Sequence, residues 1–173
     1  DYVYFNEGQV SKALDTIAGQ ITMIARDPEK NVVIGGGDPA FTPGYGPAFM
    51  MTETGEMRRP VMEDYSNLCK LVQTSKYINI NGCLMVDPFD VPPETAHLDM
   101  LYSNILLCDK PFLGSSVSRQ AAVDSIEMAG IAWGGVDKIK DIPVMISIIS
   151  SLSPLQYSSE MAGALIEYAR HGQ

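Results

Sequence analysis

Three short segments carry residues able to bind or transform a small polar molecule. Asp87 and Asp90 bracket the loop Asp87-Pro88-Phe89-Asp90, directly after the apolar run Leu84-Met85-Val86. Ser115 and Ser116 follow Pro111-Phe112-Leu113, and Ser150 and Ser151 follow Val144–Ile149. Asp87 has the chemistry of a base or of a counter-charge to a cation. It has equally that of a turn residue bonding nearby backbone amides, which is the reading for Asp90. Each serine offers a hydroxyl donor and acceptor, in loops where serine is also common for conformational reasons. The sequence supplies no base that would make one of them a nucleophile. Phe41, Tyr45, Phe49, Phe89 and Tyr157 cluster near loops. A cage of rings attracts a quaternary ammonium, although loop aromatics also pack lids onto cores.

Other familiar chemistries are poorly represented. His97 and His171 stand 74 residues apart with no HExxH spacing, so a zinc site is not expected. Cys69, Cys83 and Cys108 are 14 and 25 residues apart, form no CxxC pair and are odd in number. They read as plain thiols in a reducing cytoplasm. Gly35-Gly36-Gly37-Asp38 meets Pro39 at once, so no helix N-terminus follows to hold a phosphate, and the run reads as a turn. The net charge of −9 disfavours nucleic acid and anionic membrane surfaces as partners. The longest apolar runs fall far short of the roughly 20 residues that span a bilayer. The first residues, Asp1-Tyr-Val-Tyr-Phe, have neither the basic start nor the apolar stretch of a signal peptide. They also lack a Met, which hints at a longer parent chain.

The elements that must position these residues read as follows. With 173 residues, 46% of them hydrophobic, the chain can bury the core of one domain. Val10, Leu14, Ile17, Ile21 and Ile24 step by four and three, predicting one amphipathic helix that ends at Asp27-Pro28. Val32-Val33-Ile34 predicts a short strand, and residues 39–47, with three prolines and two glycines, an irregular loop. Residues 48–52 and 56–61 flank Glu53-Thr54-Gly55 and predict a hairpin lying outside any parallel sheet, as a flap. A helix follows, with Tyr65, Leu68, Val72 and Ser75 on one face and Asp64 suited to its positive end.

From residue 84 the pattern becomes periodic. Strands near 84–87, 111–115 and 144–150 alternate with helices. The first helix has an apolar face of Leu98, Leu101, Tyr102, Ile105 and Leu106. The second is capped by Ser118, buried through Ala122, Val123, Ile126 and Ala129, and stopped near Gly130. The third is capped by Ser158 and carries Ala162, Leu165, Ile166 and Ala169. Strand starts 28 and 32 residues apart match βαβ units. Continuously apolar strands predict a parallel sheet covered by helices. The fold class is α/β, as part of a (β/α)₈ barrel, because a complete barrel needs about 250 residues. The expected organisation is one partial barrel domain over 1–173, with a helix and hairpin flap in 1–61 and about three βα units in 62–173.

A set of residues resembles a known family. Thr54-Gly55-Glu56-Met57-Arg58-Arg59-Pro60, Asp64, the helix through Lys76, Asn79-Ile80-Asn81, Asp90-Val91-Pro92 and Lys110-Pro111 are together similar to the trimethylamine methyltransferase superfamily. Its members without pyrrolysine include glycine betaine:corrinoid methyltransferases. The resemblance runs from about residue 10 onward. It implies a (β/α)₈ barrel and methyl transfer from a methylated amine to the Co(I) corrinoid of a separate protein, with no cofactor held by this chain itself. Asp87, Phe89, Ser115, Ser151 and Tyr157 are then the expected substrate contacts, and no catalytic residue is assigned. The implied partners are the methylated amine and the corrinoid protein, in the cytoplasm, with a homo-oligomer open. A non-catalytic interaction module built from a barrel fragment is the alternative. An unrelated phosphate-binding barrel is disfavoured by the missing glycine-rich phosphate loop.

Overall fold

The computed structural model describes residues 2–151 and 156–173. Leu152, Ser153 and Pro154 of the predicted serine loop lie outside the described residues. The chain folds as a mixed α/β structure of short strands and longer helices.

The opening segment differs from the predicted single helix. Helix α1 covers only Glu7–Leu14, with a reciprocal capping box between Asn6 and Gln9, and buries no residue. Strand β1 (Gln20–Met23) then pairs antiparallel with β2 (Val32–Gly35), so Ile21 lies on a strand and Ile24 just beyond its end, neither on a helix. The reason is visible in burial. Met23 is buried and Ile21 partly so, a two-residue period. Asp27 starts a single 3₁₀ turn, Pro28–Lys30, rather than ending a helix. The loop through 39–47 then runs along residues 79–87. The Phe41 carbonyl accepts from the Asn79 and Ile80 amides at 2.8 and 3.1 Å, and the Gly46 amide donates to the Leu84 carbonyl at 2.7 Å. This segment covers an otherwise unpaired sheet edge.

The hairpin is present outside the parallel sheet, with arms shorter than the predicted 48–52 and 56–61. Strands β3 (Met50–Met51) and β4 (Met57–Arg58) pair antiparallel in a sheet of their own. The Thr52 amide donates to the Glu56 carbonyl at 2.8 Å, and Gly55 supplies the positive φ of 84° that the turn needs.

Helix α2 (Met62–Thr74) buries Tyr65, Cys69 and Val72. Its C-terminal carbonyls are met by Lys110, a buried lysine whose Nζ donates to the Val72, Ser75 and Ile78 carbonyls at 2.7, 2.6 and 2.5 Å. Burial pushes the Lys110 ammonium below its ordinary value.

The predicted parallel sheet is present but shorter and shifted. Strands β5 (Phe112–Leu113) and β6 (Met145–Ile146) pair parallel. The third member is a single bridge from Asn81 to Phe112, also parallel. Leu84-Met85-Val86 is therefore no strand. Met85 and Val86 are apolar because they are buried against α2, with 4% and 2% exposure. Side chains alternate across the sheet. Phe112 and Met145 face a core of helices, while Leu113 and Ile146 face Met23, Val32, Ile80 and Cys83.

Helix α3 (Ala96–Leu107) presents a different face from the predicted one. It buries Ala96, Met100, Leu101, Ser103 and Asn104, and leaves Leu98, Tyr102 and Leu106 exposed. Helix α4 (Arg119–Trp133) is capped by Ser118, whose hydroxyl accepts from the Ala121 amide at 3.0 Å. It runs past Gly130 to a left-handed Gly134, and a short helix α5 (Val136–Ile139) follows. Val123 is only partly buried. Helix α6 (Ser159–Arg170) is capped by Ser158 as expected, but buries Ala164, Glu167 and Tyr168, leaving Leu165 and Ile166 about half exposed. No helix among the described residues is long and apolar enough to cross a membrane.

Candidate functional site

In a parallel sheet, ligands bind outside the carboxyl ends of the strands. Here that end is built from Gly82-Cys83, Gly114-Ser115-Ser116 and the segment from Ser147. Ser115 is buried and held by its backbone. Its amide donates to Ser125 Oγ at 3.1 Å, and its carbonyl accepts from the Tyr168 hydroxyl at 2.7 Å. Gly114 has no side chain because a Cβ would lie 2.4 Å from that hydroxyl. Ser116 Oγ donates to the Ile148 carbonyl at 2.8 Å, and Ser147 Oγ to the Gly114 carbonyl at 2.9 Å, extending the β5–β6 pairing by side chains. Tyr45, half exposed, lies against Cys83 and Ser116, and burial raises its hydroxyl above the ordinary value. Cys83 is itself buried, its thiol pushed up to about 11.

A ladder of amides fixes Gly82-Cys83 from behind. Asn81 Nδ2 donates to Asn104 Oδ1 at 2.8 Å, and Asn104 Nδ2 to the Gly82 carbonyl at 2.8 Å. The Tyr65 hydroxyl donates to the Gly82 and Cys83 carbonyls at 3.0 and 2.6 Å. These groups are buried, and all find partners, so the ladder is rigid.

The hairpin docks against the start of α2 and the 87–90 loop. Arg58 forms two 2.6 Å bonds with Asp64, which also accepts from the Val61 amide at 2.8 Å. Asp90 Oδ1 accepts from the Met62 amide at 2.8 Å, so Asp90 bonds a backbone amide as expected, but one at the start of α2 and not in its own turn. The Pro60 carbonyl accepts from the Phe89 amide at 2.9 Å. The Arg59 guanidinium lies 4.3 Å from the centroid of the Phe89 ring. Between hairpin and loop is a cavity of about 450 Å³ lined by Phe49, Arg59, Asp87 and Phe89 with Ala48, Pro88, Val91 and Pro93.

Of the residues singled out by sequence, Phe49, Asp87 and Phe89 share this cavity, and all three are exposed. Ser115 is at the strand end but buried. Ser151 and Tyr157 are exposed, one beyond β6 and the other before α6, and neither lines that cavity. Sequence reasoning passed over Arg59 as a site residue. The Arg58-Arg59 pair was the signal, because Asp64 at the start of α2 satisfies only one of the two. It also passed over Asn104, which is not part of the apolar face predicted for α3. Among the described residues no group of three His, Cys, Asp or Glu side chains is arranged to hold a metal ion.

Comparison with known proteins defines the class. The chain is 44% identical over 171 residues to a glycine betaine methyltransferase of Desulfitobacterium hafniense strain Y51, covering 99% of this chain and 36% of the relative. It is 25% identical over 167 residues to the trimethylamine methyltransferase MttB of Desulfitobacterium hafniense strain DSM 10664 / DCB-2, covering 94% of this chain and 33% of that protein. The chain thus spans about a third of the length of the curated relatives it matches. The family model for trimethylamine methyltransferase (MTTB) matches residues 1–173, and the chain belongs to that family.

Proposed function

We propose that the protein containing this chain moves a methyl group from a methylated amine, such as glycine betaine, to the Co(I) corrinoid of a partner protein in the cytoplasm. The observation that carries the reading is the 44% identity to a glycine betaine methyltransferase across nearly the whole chain. The short parallel sheet, with helices against one face, supports its being part of a (β/α)₈ barrel. The acceptor supplies the electron pair for the new bond to carbon, and the amine nitrogen keeps the pair of the broken C–N bond. The work left to the polypeptide is to bind the donor, aim its methyl group and exclude water.

Within this chain the donor is held in the cavity between the hairpin and the 87–91 loop. Asp87 places a negative charge beside the ammonium, and an exposed ring of the same cavity offers a cation–π contact. Such contacts contribute about 0.5–1 kcal/mol when exposed and about 2 when desolvated.

The test uses the full-length protein, a reduced corrinoid protein and glycine betaine. Formation of dimethylglycine together with methylation of the corrinoid is the expected result. Failure to demethylate any methylated amine under these conditions removes the reading.

A further inference from the structure

The geometry points to a zwitterion-recognition site in the cavity between the hairpin and the 87–91 loop, with Arg59 holding the carboxylate of the ligand and Asp87 with Phe49 holding its ammonium. This rests on the reading of the protein as a methylated-amine methyltransferase and specifies which donors it takes. Four of the five arginines are committed to ion pairs: Arg26 to Asp109, Arg58 to Asp64, and Arg119 and Arg170 to Glu167. Arg59 is left out of these pairs, one residue from the Arg58 clamp that fixes its backbone. Its guanidinium rests on the Phe89 ring, 4.3 Å from the centroid, and lines the same cavity as Asp87. That cavity therefore holds a cation and an anion that do not pair with each other, alongside two rings.

The division of labour follows from the rings. Arg59 already occupies one face of Phe89, so that ring serves as the platform that aims the guanidinium. Phe49, about half exposed, keeps its face for an ammonium. A planar guanidinium binds a carboxylate through two parallel N–H bonds, which a lysine in its place would not reproduce. A ligand with only an ammonium meets repulsion from Arg59, and a simple anion meets repulsion from Asp87. The pair selects molecules bearing both charges.

The test is titration calorimetry on the full-length protein with glycine betaine and with choline, which has the same ammonium and no carboxylate. Arg59→Gln should weaken betaine binding about tenfold and leave choline unchanged or tighter. Arg59→Glu should widen that contrast. Asp87→Asn and Phe49→Ala should weaken both ligands, Phe49→Ala by about fivefold. Arg59 is exposed and outside the ion pairs, so its variants should keep the parent far-ultraviolet dichroism. Unchanged betaine affinity in Arg59→Gln, or an equal loss for both ligands, overturns the site. Methyl transfer from betaine that persists at the parent KM in Arg59→Gln sinks the site and spares the functional reading. Charge-selective binding without any methyl transfer by the parent does the reverse.

Discussion

At the scale of single residues, the resemblance to the methyltransferase family resolves into contacts with separate tasks. The two arginines of the hairpin exit divide the work, one on a carboxylate and one on a ring. Asp64 sits at the third position of α2, where it meets both the Arg58 guanidinium and the Val61 amide. Arg58 and then the Val61 amide hold its carboxyl below the ordinary 3.8. A carboxyl with a depressed folded-state pKa contributes stability above its unfolded value and loses it as pH falls through the folded one. Stability of the parent should therefore fall on acidification below about pH 4 more steeply than that of Asp64→Asn, as read from urea midpoints at successive pH values. Parallel curves would assign Asp64 no role in the acid transition. The aspartate was legible in the sequence as a helix-start residue. Its guanidinium partner was not, because composition does not say which of two adjacent arginines turns toward α2.

At the scale of elements, hydrophobic periodicity located most helices and misplaced several faces. Positions 10, 14, 17, 21 and 24 satisfy a helical stripe, yet residues two apart on a short strand, such as Ile21 and Met23, satisfy a strand equally well. Gly19 and the turn before it break the register that the stripe assumes. Helix α3 is apolar nearly all round, so its period does not choose a side. The choice is made by Asn104, which turns inward because Asn81 and the Gly82 carbonyl need partners. Helix α6 is inverted in the same way, with Glu167 buried to meet Arg119. The caps were legible because they are local: Ser118 and Ser158 each bond an amide three residues on. Of these features the amide ladder makes the sharpest test. Asn104→Leu fits the volume but strands the Asn81 amide, while the Gly82 carbonyl keeps Tyr65. It should destabilise the protein by about 2 kcal/mol, measured by denaturant unfolding. A loss under about 0.5 kcal/mol would mean the ladder is solvated rather than sealed.

At the scale of the whole molecule, the chain carries apolar surface that none of the described residues covers. Tyr102, Leu106 and Ile131 are 61%, 60% and 83% exposed and line one groove with Ile105 and Met128. Exposed apolar patches of this kind favour association. The isolated 173-residue polypeptide should bind a hydrophobic dye or sediment as more than a monomer, and a sharp monomeric boundary with cooperative melting would show it to be self-sufficient. The alternation of strand and helix was legible from sequence, whereas the length of the strands was not. Burial, and not pairing, made Leu84–Val86 apolar, whereas in Val144–Ile149 only Met145 and Ile146 pair as a strand. The three buried thiols bear on how such a molecule comes apart. Cys69 and Cys108 sit in the core between α2 and α3, and Cys83 in the core beneath the parallel sheet. Burial raises all three, Cys69 to about 12, so none is a ready nucleophile while the fold is closed. Each becomes reactive only when its own core opens. Nature has thus placed two clocks in the chain, and the order in which an alkylating reagent reaches Cys83 and the Cys69–Cys108 pair tells which layer parts first.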